Sequence, residues 1–290
     1  MENIIQAVIN GLFLGGIYGL IAIGLTLPFG VLDIPNFAHG EFVMLAMYAT
    51  FFIWQFLGLD PLFSLPIVIV LFFFVGLIVY QVILRRLFAV NAPTTARLLA
   101  FAGLSIFLLN VAMFKWGTIH LVLKTSYWKS TLDMGPYIIR VPMLISFIGS
   151  IVLTLLVLAF LNKTYTGKGL MATAQDPDAA TLMGINNKRM YMICFGLGIA
   201  LAAGAAPFLT TFQIIFPTVG NGLTLIAFVI VIMGGLGSVT GAYIGGLVIG
   251  VIESVISLVF TPELAWVTIF IVFIAILLYK PKGFFGKWIK

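Results

Sequence analysis

Leu62-Phe-Ser-Leu-Pro-Ile-Val-Ile-Val-Leu-Phe-Phe-Phe-Val-Gly-Leu-Ile-Val-Tyr-Gln-Val-Ile-Leu84 runs for 23 residues without a charge and stops at Arg85-Arg86. About 20 consecutive apolar residues are enough to cross the hydrocarbon core of a bilayer as a helix. This stretch therefore reads as a membrane span ending at a charged interface. The rest of the chain repeats the pattern. Apolar runs occupy about 4–27, 37–57, 62–84, 98–116, 141–161, 191–212, 222–236, 240–260 and 265–279, cut by proline, glycine and charge. Across all 290 residues only 8% are charged and 62% are hydrophobic. A soluble domain carries roughly 25% charge. The fold class that follows is an all-α polytopic membrane protein with about eight to ten transmembrane helices, some short or broken. No polar stretch is long enough for a soluble domain, so residues 1–290 read as one transmembrane domain with a cytoplasmic loop at 162–190.

The net charge of +6 is distributed in a way that argues against nucleic-acid binding. Arg85, Arg86 and Arg97 share one loop, Lys163, Lys168, Lys188 and Arg189 another, and Lys280, Lys282, Lys287 and Lys290 the tail. Two apolar runs separate the first cluster from the second, and four separate the second from the tail. Even numbers return the chain to the same side, so all three clusters fit the cytoplasmic side under the positive-inside rule. Lys115, Lys124, Lys129 and Arg140 then lie outside, and the C-terminus is cytoplasmic. Three spans before Arg85 place the N-terminus outside. The segment Met1-Glu2-Asn3 lacks the basic start of a secretory signal, so the first run is expected to be a true span. The run at 222–236 is short enough to be half of a re-entrant pair. Cys194 is the only cysteine, and two histidines offer little for a metal centre.

Small residues recur every three to five positions in Gly11-Leu-Phe-Leu-Gly15-Gly16-Ile-Tyr-Gly19 and in Gly241-Ala-Tyr-Ile-Gly245-Gly246-Leu-Val-Ile-Gly250. Such spacing lets helix backbones approach closely in lipid. The two runs also resemble each other, as a faint internal repeat would.

Three places depart from plain lipid-facing helix. In Leu27-Pro28-Phe-Gly30-Val-Leu-Asp33-Ile-Pro35-Asn36-Phe-Ala-His39-Gly40-Glu41, two prolines and a glycine are expected to break the chain. Asn36 and His39, three apart at the start of the next run, would share a helix face, whereas His39 and Glu41 would not. Either these groups hydrogen-bond neighbouring helices, or they line a pathway or move protons. In Gly234-Gly235-Leu-Gly237-Ser238-Val-Thr240-Gly241-Ala242-Tyr-Ile-Gly245-Gly246, the glycines suit a tight turn between helices, and Ser238 and Thr240 suit freed backbone groups. Glu253 follows as a lone acid that needs a partner, His39 being one candidate.

The third place is the loop from Thr166 to Asn186. Asp176 is a good N-cap and Pro177 suits the first helical position. Asp178 sits at the positive end of the dipole. Ala179, Ala180, Thr181, Leu182 and Met183 propagate, and Gly184 is a natural stop. This short helix carries the apolar Leu182 and Met183 out of the bilayer, where they either pack on the chain's own helix ends or meet a partner. No G-x-x-x-x-G-K-[ST] phosphate loop occurs, so any ATP chemistry belongs to another chain. No zinc-ligand pair appears on a helix, and Gly237-Ser238 is a weak nucleophile signal, so neither a metal nor a catalytic residue is expected.

These segments resemble the permease subunits of branched-chain amino-acid ABC importers. The string Gly16-Ile-Tyr-Gly-Leu-Ile-Ala-Ile-Gly-Leu-Thr-Leu with Asn36-Phe-Ala-His-Gly-Glu41 is similar to the family's N-terminal signature. Ala172-Thr-Ala-Gln-Asp-Pro-Asp-Ala-Ala-Thr-Leu-Met-Gly-Ile-Asn186 is similar to its coupling loop, with Asp178-Ala-Ala180 and Gly184 at the matching spacing. Gly234-Gly-Leu-Gly-Ser238 with Gly241-Ala and Gly245-Gly246 resembles its late glycine motif. Pro28 and Pro35 depart from the family's usual residues, and 117–140 lies outside the resemblance. The resemblance implies a second related permease subunit, two cytoplasmic ATPase subunits that bind ATP and magnesium, and an external substrate-binding protein, all at the cytoplasmic (inner) membrane of a prokaryote. It implies leucine, isoleucine, valine or related neutral amino acids as cargo, with urea or short amides as an alternative. A self-sufficient channel or secondary transporter would instead use His39, Glu41 and Glu253 as ion sites. A membrane enzyme would use Ser238 or His39.

Overall fold

The computed structural model describes residues 2–280 and 283–286; Lys282, Lys287 and Lys290 of the basic tail lie outside the described residues. Helix α1 spans Glu2–Leu32 and α2 His39–Leu57. Helix α3 (Pro61–Val79) runs through a π-turn at Tyr80–Leu84 into α4 (Arg85–Ala89), and α5 spans Thr94–Trp116. A small antiparallel hairpin, β1 (Thr131–Met134) and β2 (Tyr137–Arg140), leads into α6 (Val141–Lys163). Then come α7 (Tyr165–Gln175), α8 (Pro177–Leu182), α9 (Asn187–Gly204) and α10 (Ala206–Leu209). Helices α11 (Val219–Gly234), α12 (Val239–Val259) and α13 (Pro262–Tyr279) complete the chain.

Among the described residues, eight helical segments are long and apolar enough to cross a membrane. The protein is an all-α polytopic membrane protein. The nine apolar runs correspond to these eight segments plus α11, whose 16 residues give a length of about 24 Å, less than the roughly 30 Å hydrocarbon core.

Local chemistry sets the ends of these helices. Asp60 accepts from the Leu62 N–H at 2.9 Å with Pro61 at the start of α3, and Thr261 and Pro262 open α13 in the same manner. Thr164, Asn186 and Ser238 cap α7, α9 and α12. The hairpin turns at Gly135-Pro136, where Gly135 has φ +65°, the sign that primed hairpin turns require at the first loop position.

The expected break at Pro28 does not occur. Helix α1 continues through Pro28 to Leu32, and the chain leaves the helix only from Asp33 to Ala38. Pro28 is tolerated because its ring lies against Gly198 of α9, where a side chain would collide with the Pro28 ring and the Gly24 carbonyl. The neighbour supplies the space that an interior proline needs.

Helix α1 is the centre of the bundle, and every residue from Gly15 to Pro28 is buried. Its closest partner is α12, running antiparallel. A Cβ on Gly11 would come within 2.6 Å of Val251 Cα, and one on Gly15 within 2.6 Å of the Gly246 carbonyl oxygen. Gly19 abuts Tyr243. The two glycine-rich runs that look alike in sequence are thus the two faces of one seam. In lipid no hydrophobic force drives helices together, so close backbone contact supplies the attraction. By contrast, α5 is peripheral and buries only Phe101 and Ala112.

Candidate functional site: a polar centre and a membrane-surface helix

The polar centre forms where α2 and α11 begin. Gly40 and Gly220 touch backbone to backbone, so the N-terminal ends of the two helices converge. Asn36 lies in the turn before α2. Its Oδ1 accepts from the Ala38 N–H at 3.0 Å, and its carbonyl accepts from the His39 N–H at 3.2 Å. The expected shared helix face of Asn36 and His39 is therefore absent: α2 starts at His39, and Asn36 spends its side chain on the turn.

His39 and Glu41 are each only 1% exposed. His39 Nε2 stands 2.9 Å from the Ile21 carbonyl of α1. A carbonyl can only accept, so Nε2 carries a proton. The Gly40 N–H donates to Thr224 Oγ1 at 2.8 Å. The Thr224 hydroxyl lies 3.1 Å from the Gly220 carbonyl and 3.4 Å from Glu41 Oε2. It has one hydrogen, and the shorter contact is to Gly220, so Thr224 holds Glu41 only weakly. Glu41 Oε1 has no hydrogen-bond partner. Its position in the first turn of α2, beside the start of α11, sets the positive ends of two helix dipoles near the carboxyl group.

Glu253 does not pair with His39. Its Oε1 accepts from Tyr18 Oη at 3.4 Å, and its Oε2 is unpartnered. The partners of His39 and Glu253, Ile21 and Tyr18, both lie on α1, so the central helix serves each group separately. Tyr18 and Thr224 carried no warning in the sequence, because each acts on a residue more than 180 positions away.

The late glycine motif forms the turn from α11 to α12. Gly235 has φ +97° and Gly237 φ +79°. Gly234 packs on Gly241, Gly245 on Ile230 and Met233, and Gly246 on Gly15 and Gly19. Ser238 Oγ accepts from the Gly241 N–H at 3.1 Å, while Thr240 Oγ1 lies 3.5 Å from Ser238 Oγ. Thr26 of α1 accepts from the Gly237 N–H at 3.2 Å and ties this turn to the central helix. Among the described residues, Ser238 and His39 share no hydrogen bond, and no cluster of three His, Cys, Asp or Glu stands ready to hold a metal.

At the far end of α6, the 162–190 loop folds into α7 and α8. Helix α7 was not among the elements expected from the sequence, and it runs through Gly167 and Gly169. Gly167 is where the helix presses on the Phe160 carbonyl and Leu161. Asp176 Oδ1 accepts from the N–H groups of Asp178 (2.9 Å) and Ala179 (3.0 Å), opening α8. The Ile185 N–H bonds to the Ala180 carbonyl and the Gly184 N–H to the Thr181 carbonyl, with Gly184 at φ +82°. This is the Schellman pattern of helix closure. Asn187 Nδ2 donates to the Pro177 carbonyl (2.6 Å) and Thr181 Oγ1 (2.8 Å), fastening α8 to α9. Ala180 is buried beneath, while Leu182 and Met183 are 89% and 82% exposed.

Residues 7–277 match the family described as branched-chain amino acid transport system / permease component. The chain is 31% identical to the high-affinity branched-chain amino acid transport system permease protein BraD of Pseudomonas aeruginosa, covering 98% of this chain and 96% of that protein. It is 31% identical to the permease protein LivH of Escherichia coli over the same shares, and 30% identical to a probable LivH of Methanocaldococcus jannaschii over 92% of this chain and 88% of that protein. No solved structure matches. With the match running almost from end to end, the chain belongs to the family of permease components of branched-chain amino acid transport systems.

Proposed function

We propose that this chain is the membrane-spanning subunit of an ATP-driven importer of branched-chain or related neutral amino acids, with α8 as the element that receives the motion of separate ATPase subunits. The observation that carries this reading is the bare apolar pair Leu182 and Met183 on a helix whose two ends are fully capped. Exposed apolar side chains on a rigid support are what a docking surface offers. ATP and magnesium would be held by the cytoplasmic ATPases, with a second permease subunit completing the pathway and an external binding protein delivering cargo.

In this reading the basic clusters put α7, α8 and the C-terminus in the cytoplasm. Movement of α8 passes through Asn187 to α9, which packs on α1 and α3. Helix α1 in turn carries the partners of His39 and Glu253. Asn36, His39, Glu41 and Glu253 then border the route taken by a zwitterion, and Gly234, Gly235, Gly237, Ser238, Gly241, Gly245 and Gly246 hold the helices that frame it. No covalent step is assigned to this chain; a two-state element biased by nucleotide and by cargo is sufficient.

The test is to purify the tagged chain from its own membrane in mild detergent and identify what accompanies it. ATPase subunits and a second permease are the expected companions. A chain that emerges alone, or only with itself, at every salt concentration would replace this reading with a self-sufficient channel or secondary transporter.

A further inference from the structure

Helix α2 begins inside the bundle. The His39 ring meets the Ile21 carbonyl, and Ile21 lies 11 residues before the end of α1, about 16 Å along the helix axis. Residues 33–38 therefore lead back towards the middle of α1 in non-helical backbone before α2 starts. Helix α11 begins at the same depth. A Cβ on Gly220 would lie 3.0 Å from the Glu41 nitrogen. The other end of α11 reaches the turn at Gly237, which packs on Gly30 near the end of α1. Its 16 residues are enough because it starts inside the bundle. Non-helical backbone at membrane depth is tolerated where it is buried in protein or lines a cavity, and half-helix starts in transporters face charged groups of the cargo.

Neither start is closed by its own sequence. Ala38 and Thr218, the cap residues of α2 and α11, give no side-chain hydrogen bond. The polar side chains nearby are spent: Asn36 on its own turn, His39 Nε2 on Ile21, and Thr224 Oγ1 between the Gly40 N–H and the Gly220 carbonyl. Glu41 is the exception. It is 1% exposed and its Oε1 is unpartnered. Ser105 of α5 faces the carboxyl without completing a hydrogen bond to Oε1. A buried carboxyl oxygen without a donor costs free energy. The uncapped helix start beside it offers the complement, N–H groups and the positive end of a dipole. An acceptor and a donor set side by side match the ammonium and the carboxylate that an α-amino acid carries on one carbon.

Resting on the importer reading, we propose that the polar centre is the headgroup site for the cargo: Glu41 Oε1 accepts from its ammonium, and the start of α11 at Gly220 donates to its carboxylate. Both charges are needed. Urea and short amides offer no ammonium to Glu41 and no carboxylate to α11, so this chain itself selects α-amino acids. The site is closed in this structure. Of α2, α5 and α11, which meet at Glu41, α5 buries only Phe101 and Ala112, and it is the cover whose displacement admits the cargo.

The test reads retention of radiolabelled leucine by the whole complex in nanodiscs, with the binding protein left out. Wild type is expected to hold leucine and to be at least about tenfold less sensitive to competition by N-acetylleucine, which lacks the ammonium, and by leucinamide, which lacks the carboxylate, than by leucine itself. Glu41→Gln is expected to weaken retention at least about tenfold with the thermal midpoint in place, and Glu41→Asp to keep part of it. Equal competition by N-acetylleucine, or equal retention by Glu41→Gln, would overturn Glu41 as the ammonium site. Equal competition by leucinamide would overturn the part given to α11. Wild type that retains no leucine would overturn the whole site. The competition series on wild type decides the matter even if Glu41→Gln fails to fold. Each of these results leaves the importer reading standing; a complex that purifies without ATPase subunits would remove it.

Discussion

Helix α8 and the polar centre leave opposite things unsatisfied. In α8 the terminal hydrogen-bonding groups are met by Asp176, Gly184, Ile185 and Asn187, and what is left bare is apolar: Leu182 and Met183. In the polar centre His39 and Glu41 are buried, and what is left bare is polar: Glu41 Oε1 there, and Glu253 Oε2 separately on α12. Each deficit names its remedy. Bare apolar side chains on a rigid helix call for a protein surface. A bare carboxyl oxygen inside the bundle calls for a donor, which on the proposed importer reading another state of the protein or the cargo would bring.

Four changes break or sharpen that contrast. Replacing Leu182 and Met183 together by Asp removes two side chains whose burial is worth about 3–6 kcal/mol in total. Co-purification of ATPases should fall at least about a hundredfold while the thermal midpoint of the isolated chain, read by fluorescence in detergent, stays put. Unchanged co-purification would mean that the pair faces lipid or water and docks nothing. Gly184→Val forces a β-branched residue into φ +82° and should cost about 1–2 kcal/mol locally. Substrate-stimulated ATP hydrolysis should drop about tenfold with insertion intact, and normal stimulation would detach α8 from coupling.

Glu41→Gln keeps the shape of the side chain and has no bond at Oε1 to lose. Uptake per inserted molecule should fall about tenfold, a 1.4 kcal/mol effect, with little change in unfolding. If instead the thermal midpoint drops and uptake per folded molecule holds, Glu41 is a packing residue and the contrast with α8 collapses. Asp176→Ala removes one cap and about 1 kcal/mol of local helix stability, so stimulated hydrolysis should fall only a few-fold. A loss as deep as that of the Leu182 and Met183 pair would place the contact with the ATPases on Asp176 itself.

The same division explains how much could be read from the sequence. Helix α8 was legible to within one residue, Met183 being its cap and not its last turn, because capping is written within four positions of where it acts: Asp176 caps Asp178 and Ala179, and Gly184 closes on Thr181. The spans were legible for a similar reason, since run length is a local property. The polar centre was visible only as a list of candidates. His39 depends on Ile21, Glu41 on Thr224 and Glu253 on Tyr18, with separations of 18 to 235 residues. Pro28 misled because the residue that accommodates it, Gly198, lies on another helix. Helix α7 was hidden because its glycines serve close packing rather than a turn.

The seam between α1 and α12 has a mechanical consequence. Where Gly11, Gly15 and Gly19 meet Gly246, Gly250 and Tyr243, most of the contact is main chain on main chain, with few rotamers to absorb displacement. Two rods joined without slack move as one lever. On the proposed importer reading, rocking that opens the pathway to one side and then the other would therefore hinge elsewhere, at boundaries cushioned by long side chains, with α1 and α12 travelling together.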